Sequence, residues 1–358
     1  MKKEHKTNRF IASLIAVIML IASLSGTVCV SADEETADPF ADSVFKNYLT
    51  RKGSILYDGD EVFRSCVGLA DAGLVSQEDG GHHLADEFEI RDAFEAMKQL
   101  GQNSTRTGWP FARQAKSVDG KIVGEGKPGE KVMIEGPGKY SERAFRAMDK
   151  MLQLANEYGI RLFIPMFCGS LTETFAAYRG LPSKDFYNSL QLIEDTKAFF
   201  TYMLNRTNYY TGVKYKDDPA VLAWEIGNEL DRSGCTTEWV NVMSAHIKSI
   251  DSNHLVAAPQ THYWKDVIDD PNIDIVDTHI YDAMPFKEMV EGDIAAIDGK
   301  KALILGEIGM KDGDFFSDDF LPWVAEKPQV CATYMFMLGA HNSLGGIYCH
   351  SSGTDYPN

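Results

Sequence analysis

Two glutamates in this sequence stand where paired carboxylates do chemistry. Glu229 closes the run Asp218-Pro219-Ala220-Val221-Leu222-Ala223-Trp224-Glu225-Ile226-Gly227-Asn228-Glu229, an apolar strand ending in an amide beside a carboxylate. Glu307 closes a second such run, Ala302-Leu303-Ile304-Leu305-Gly306-Glu307-Ile308-Gly309. Two carboxylates at the C-terminal ends of two different core strands suit a two-step displacement at a glycosidic carbon. One protonates the leaving oxygen while the other attacks, and the configuration is retained. The first has to stay protonated near neutral pH, through partial burial and a neighbouring negative charge, and the second has to stay ionised.

Other strand ends supply supporting groups. Arg106, in Ser104-Thr105-Arg106-Thr107, is placed to hold Glu307 ionised. Asn228 is placed to donate to a sugar hydroxyl beside the reacting carbon. His279 and Tyr281, in Asp277-Thr278-His279-Ile280-Tyr281, are placed to hydrogen-bond both the nucleophile and the sugar. Taken singly, each has a plain structural explanation: a solvated carboxylate, a salt-bridged Arg, a satisfied core His. Arg, Asn-Glu, His-x-Tyr and Glu-x-Gly at four strand ends, in chain order, argue for a site. Aromatic rings stack on the apolar faces of pyranoses, so a polysaccharide cleft calls for several near the strand tops. Trp109 and Trp264 follow strands directly and are candidate platforms, and Gln260 and His262 also reach that region. Trp239, inside a helical pattern, and Trp224 read as core.

These groups need strands to carry them. Short apolar runs without clean alternation, as expected of strands buried on both faces, fall at 65–69, 103–107, 161–167, 221–227, 254–259, 275–279, 302–307 and 332–338. Helical periodicity fills the gaps at 86–100, 141–158, 185–206 and 237–250, and more weakly at 318–327. Ser141 is a helix start, and Gly101 and Gly159 sit at helix stops. Eight strands alternating with helices predict an α/β fold of the (β/α)8 TIM-barrel type. No Gly-x-Gly-x-x-Gly turn follows an early strand, which argues against a doubly wound dinucleotide fold. A hairpin over 45–67, turning at Asp58-Gly59, precedes the barrel. After the eighth strand the chain has no helical pattern, so the closing helix is missing or the N-terminal segment takes its place.

Residues 1–32 read as an export signal: Lys2, Lys3, Lys6 and Arg9, an apolar run from Phe10 to about Leu24, then Val30-Ser31-Ala32. Residues 33–44 form an acidic linker and 45–358 the catalytic barrel domain, so the product is secreted and monomeric, with no membrane attachment after cleavage. The formal charge of −17 argues against a nucleic-acid or anionic-membrane partner and is compatible with a neutral substrate. Cys66, Cys168, Cys235, Cys331 and Cys349 remain after the signal, widely spaced and without a Cys-x-x-Cys pair. No disulfide framework, metal site or cofactor is expected.

The motifs reach a family. Over 55–346 the chain resembles glycoside hydrolase family 5 of clan A, and within it the endo-β-1,4-mannanase branch. The resemblance is densest in Arg206-Thr207-Asn208-Tyr209-Tyr210-Thr211-Gly212-Val213-Lys214-Tyr215-Lys216-Asp217-Asp218-Pro219, and continues through Trp224–Glu229 and residues 247–255. It implies Glu229 as acid/base and Glu307 as nucleophile, with Asn228, Arg106, His279 and Tyr281 in support. The substrate would be β-1,4-mannan or glucomannan, cut internally. Three positions depart from the family pattern. Leu230 stands where Pro usually follows the acid/base, Tyr334-Met335-Phe336-Met337 lacks the eighth-strand Trp, and Val67-Gly68-Leu69-Ala70 lacks the usual Gly-x-Asn. These bear on the sugar and leave the catalytic pair untouched; Phe336 or Tyr348 could stand in as the platform. The rival readings are a β-1,4-glucanase or exo-acting β-mannosidase on the same fold and, from another class, a non-catalytic carbohydrate-binding protein.

Overall fold

Apolar runs too short for helices and too uniform for a half-exposed sheet become the staves of a closed barrel. The computed structural model describes residues 37–70, 84–113, 115–118, 121–125, 132–258, 265–281, 285–309 and 316–336. Three strands come first, β1 (Leu49–Lys52), β2 (Ile55–Asp58) and β3 (Glu61–Phe63), paired antiparallel. The barrel strands are β4 (Ser65–Ala70), β5 (Ser104–Arg106), β10 (Arg161–Pro165), β11 (Val221–Glu225), β12 (Leu255–Ala257), β13 (Ile275–Tyr281), β14 (Ala302–Gly309) and β15 (Val330–Met335). All pair parallel in chain order, and β15 closes back on β4. These eight are the eight strands expected from the sequence. Two small hairpins unforeseen there, β6 (Ala115–Val118) with β7 (Lys121–Glu125) and β8 (Ile134–Gly136) with β9 (Lys139–Tyr140), lie in the long connection after β5.

Helix ends follow local capping chemistry. Helix α1 (Glu87–Gln99) starts at a capping box in which Asp86 and Glu89 satisfy each other's backbone N–H. Helix α2 (Glu142–Tyr158) starts at Ser141, whose hydroxyl accepts from Ala144 N, and stops at Gly159 with φ 70°. The helix expected over 185–206 begins later, as α4 (Leu190–Asn205), because a 3₁₀ turn at Ser183–Asp185 follows Pro182. Helices α3 (Leu171–Tyr178) and α7 (Phe286–Ile297) were not anticipated. Neither has a side-chain N-cap, and tertiary burial of Phe175, Ala176 and Val290 carries them. Helices α5 (Thr237–Ile250) and α8 (Leu321–Ala325) fall within their predicted spans, while the short α6 (Lys265–Ile268) is new.

The expected N-terminal hairpin is a three-stranded sheet, since Leu49–Lys52 adds a strand ahead of it. Leu49, Leu56 and Phe63 enter one apolar cluster with Phe163, Leu222, Leu255, Ile275 and Ala302. Most of these partners lie near the N-terminal ends of barrel strands, so the sheet plugs the barrel floor. At about 1.5–3 kcal/mol for each large apolar side chain buried, the plug is a substantial contribution. Arg161, the first residue of β10, pins it by donating to Asn47 O at 2.9 Å and Asp58 Oδ2 at 2.6 Å. The expected linker is anchored too, as Ser43 Oγ bonds Asn156 Oδ1 at 2.5 Å and Val44 N bonds Asn156 O at 3.2 Å. The segment after the eighth strand (337–358), the signal (1–32), Gln260, His262, Trp264 and Tyr348 lie outside the described residues.

The densest family-like stretch, 206–219, is structural. Arg206 forks onto Asp149 at 2.9 and 2.6 Å and onto Glu142 at 2.7 and 3.0 Å, and Tyr215 OH donates to Asp149 at 2.6 Å. Asp149 is fully buried on α2, so this network ties the approach to β11 onto the barrel wall. Asp149→Ala leaves Arg206 only its fork onto the more exposed Glu142 and strands the buried Tyr215 hydroxyl, and should cost about 2–4 kcal/mol of unfolding free energy in a urea titration. A cost below about 1 kcal/mol would show that the network holds nothing in place.

Candidate active site

Arg106 stands at the end of β5 with no exposed surface, and every other group of the site is arranged around it. Its Nε and Nη2 donate to the two carboxylate oxygens of Glu225 at 2.7 and 2.9 Å. Its Nη1 donates to Glu307 Oε1 at 2.9 Å and Nη2 also reaches Asn228 Oδ1 at 2.7 Å. One guanidinium thus joins three strand ends, those of β5, β11 and β14. A planar five-donor fork can do this; a lysine ammonium, a point charge, cannot.

The register of β14 against β13 aligns the rest. Asp277 pairs with Ile304, but His279 pairs with Glu307, so β14 carries one extra residue in a bulge. Gly306 is that region's missing side chain: a Cβ there would collide with Asp277 Oδ1, and Gly306 N donates to the same oxygen at 2.8 Å. Gly309 does the same for Tyr281, whose ring lies where a Cβ would be. The motif Gly306-Glu307-Ile308-Gly309 therefore presents one carboxylate between two positions left empty for its partners. Tyr281 OH donates to Glu307 Oε2.

Glu229 is held differently. It adopts left-handed backbone (φ 49°, ψ 41°), a conformation that costs a non-glycine residue about 1–2 kcal/mol and that persists at functional positions. His279 Nδ1 lies 2.9 Å from Glu229 Oε1, and Arg232 Nη1 lies 2.9 Å from Oε2. Beyond Glu229 the chain makes a short turn over Leu230–Ser233, and Leu230 is fully buried against Gly227, where a Cβ would meet it at 2.9 Å. Leu230, in place of the usual proline, thus fills a space that glycine vacates.

The electrostatics divide the carboxylates. Burial pushes Glu307 up, but His279, Arg106 and the Tyr281 hydroxyl outweigh it and hold Glu307 below the usual range. Burial opposes charge on His279 as well, yet Glu307 and Asp277 raise it to about 10, so it is an imidazolium at neutral pH. Burial pushes Glu225 up to about 7 against the pull of Arg106. Tyr281 is raised by burial and by Glu307 beside it.

The structure brings Arg106, Asn228, Glu229, His279, Tyr281 and Glu307 together as the sequence suggested, with two differences. His279 bonds Glu229 and lies 3.6 Å from Glu307. The Asn228 carbonyl is taken by Arg106, while its amide nitrogen lies 4.0 Å from Cys168 Sγ. Trp109 is half-buried against the main core cluster, Phe336 rests on the floor cluster, and Trp224 and Trp239 are core. Glu225, Asp277 and Arg232 were missed. The first two had a signal, an acid inside an otherwise apolar strand; exposed Arg232 had none.

Glu229, His279 and Glu307 each offer one ligand atom within 4.8 Å of the others. Arg106 and Arg232 are each ion-paired to one of the two carboxylates at 2.9 Å. What the geometry can do is acid/base and nucleophilic work on a bond placed between the two glutamates.

Residues 164–284 match a family model described as GH family 5 beta-mannosidase-like. The chain is 34% identical over 174 residues to mannan endo-1,4-beta-mannosidase 7 of Arabidopsis thaliana, covering 44% of this chain and 38% of that protein. It is 30% identical over 205 residues to mannan endo-1,4-beta-mannosidase 1 of Solanum lycopersicum, covering 52% and 48%. The chain spans less than half the length of these curated relatives. Among solved structures, the endo-1,4-beta-mannanase from Rhizomucor miehei aligns with TM-score 0.64 at 21% identity, covering 81% of this chain and 90% of that one. The endo-beta-1,4-mannanase from Thermotoga petrophila aligns with TM-score 0.65 at 20% identity, covering 81% and 72%. The structural likeness carries the fold, and the resemblance to family 5 and its mannanase branch read from the motifs is borne out.

This geometry has two measurable consequences. A folded value raised to about 10 means His279 stabilises the protein fully below its unfolded value of about 6.5 and loses that contribution as pH rises through 10. The stability gap between the wild type and His279→Asn, from denaturant titrations, should be widest near pH 6 and shrink by pH 10. A gap that stays constant across that range contradicts an imidazolium. Gly306→Ala drives a methyl into Asp277 and should destabilise by about 1–3 kcal/mol, read as a lower Tm.

Proposed function

We propose that this chain is a secreted, retaining glycoside hydrolase that cleaves internal β-1,4 bonds of mannan or glucomannan. The observation that carries the reaction type is the approach of Glu229 and Glu307, each with a carboxylate oxygen within 4.8 Å of one on the other. Carboxyls about 5–5.5 Å apart suit a covalent glycosyl intermediate, whereas inverting pairs stand about 6.5–9.5 Å apart to admit a water. The names of the relatives at 30–34% identity supply the substrate class.

Glu307, kept ionised by Arg106 and His279, attacks the anomeric carbon as Tyr281 yields its hydrogen bond. Glu229 acts in its protonated form, taking up a proton as the sugar displaces Arg232, and gives that proton to the leaving oxygen. Its solvent-side partner Arg232 has a side chain 56% exposed, so that ion pair parts at little cost when the sugar enters. Glu229 then takes a proton from the water that releases the glycosyl group. Asn228, Trp109, His262 and Trp264 are assigned to the sugar, and residues 45–358 form the catalytic domain. Export after removal of residues 1–32 rests on the sequence pattern; among the described residues no helix is long and apolar enough to cross a membrane.

Purified protein should release internal fragments from β-mannan, and proton NMR of the first products should show the β-anomer. Glu307→Ala and Glu229→Ala should each lower kcat on mannan by about 10²–10⁴-fold or more. Inverted product would end the retaining assignment, and unchanged hydrolysis by Glu307→Ala would end the catalytic one. Release from β-1,4-glucan alone would move the substrate and leave the chemistry.

A further inference from the structure

A cleft of about 440 Å³ opens on the outer wall of the barrel, where Asp86 and Glu87 at the start of α1, Arg143, Arg146 and Lys150 on α2, and Tyr210 line it together with Leu84, Ala85 and Ala147. No residue of the carboxylate site lines it. Beside it the chain exposes two consecutive tyrosines, Tyr209 at 58% and Tyr210 at 42%, in a structure whose other aromatics are mostly buried. Their rings stand at 87° with centroids 5.2 Å apart. The Arg146 guanidinium lies over Tyr209 at 4.0 Å and the Lys150 ammonium over Tyr210 at 3.9 Å.

This platform is rigid. Asn208 is buried, its amide donating to Asp149 O at 2.8 Å, and its Oδ1 accepts from Tyr210 N at 2.9 Å and Thr211 N at 3.3 Å. Gly212, with φ 72°, turns the loop back toward β11. The cations come from the helix beneath and the loop backbone is held by Asn208, so part of the ordering precedes any ligand and less entropy is lost on binding. Exposed rings held this way do not build the core.

The chemistry around them selects the ligand. Arg146 lies 4.0 Å from Glu142, and its side chain is 45% exposed. Glu87 and Lys150 stand 3.3 Å apart on the cleft wall, Glu87 also accepting from Arg91 and Lys150 also donating to Gln153. Both signs line the same cleft, which disfavours a phosphate and an apolar ligand alike. Neutral hydroxyls that donate and accept, carried on a ring with an apolar face, match both the charges and the aromatics.

We propose that the Tyr209–Tyr210 cleft is a second, non-catalytic binding site for a neutral β-linked glycan chain, holding polymer on the barrel wall while another stretch is cut. The identity of that polymer as β-mannan rests on the function proposed above. Each ring lost from a stacking platform weakens binding several-fold. In a Glu307→Gln background, which prevents digestion, migration through native gels containing soluble galactomannan should be retarded. Adding Tyr209→Ala with Tyr210→Ala should reduce that retardation about fivefold, and the Tyr→Phe pair should preserve it. With Glu307 intact, the alanine pair should slow hydrolysis of insoluble mannan about 3–10-fold and leave mannotetraose turnover within about twofold. Unchanged retardation overturns the proposal, as does a mannotetraose rate that falls in step with the polymer rate. If the wild type cuts no β-mannan at all, the proposed activity fails, while gels of mannan and glucan still decide whether the cleft holds glycan.

Discussion

One buried positive charge governs this molecule. Arg106 has no contact with water, and burying an unpaired guanidinium would cost several kcal/mol, so carboxylates must come to it. Glu225 meets it through a two-point fork from β11, Glu307 reaches it from β14, and the Asn228 carbonyl takes the remaining donor direction. The ends of three non-adjacent staves are thereby fixed relative to one another to within hydrogen-bond tolerance. Glu225 matters here although it faces no substrate. Without it Arg106 would be drawn wholly to Glu307, and the carboxylate proposed to attack would be tied down at its reacting oxygen. The division of labour is between a carboxylate that balances the cation and one that the cation merely keeps ionised.

Around that charge the geometry is set as much by missing side chains as by those present. Gly306 admits the Asp277 carboxylate, Gly309 admits the Tyr281 ring, and Gly227 admits Leu230. Each vacancy lies next to a glutamate or its immediate neighbour. The bulge between Ile304 and Glu307, which makes His279 face Glu307, contains the same glycine that receives Asp277. His279 then stands between Asp277, Glu229 and Glu307, and its charge is the sum of their influences.

The parts legible in the sequence were those whose signal is a break in pattern. Eight short apolar runs gave eight staves because nothing but a doubly covered strand reads that way. Arg106, Glu229, His279 and Glu307 stood out as polar groups at the ends of such runs. Glu225 and Asp277 lie inside them, one place from the alternation that would have exposed them, and reading the runs as uniformly apolar hid both. Helices Leu171–Tyr178 and Phe286–Ile297 escaped notice because they lack capping side chains and owe their existence to tertiary contacts that no local window contains. Leu230 looked like a lesion in a motif; paired with Gly227 it is a packing solution, visible only once the two touch. Arg232 could not have been found, because its role depends on a tight turn that brings i and i+3 together at the surface.

The floor plug has a consequence in time. Its strands are the first of the described elements to be synthesised, yet several of their partners come late: Arg51 donates to Lys300 O, Arg64 to Val324 O, Lys327 O and Val330 O, and the Cys331 thiol to Ser54 O. Loop closure over more than two hundred residues precedes any of these rewards, which makes the topology slow to nucleate from its N-terminal end. Arg161 and Phe163 reach the opening segment earlier, but its last hydrogen bonds wait for the final staves. A barrel built in this order can close only after its last described strand has been made.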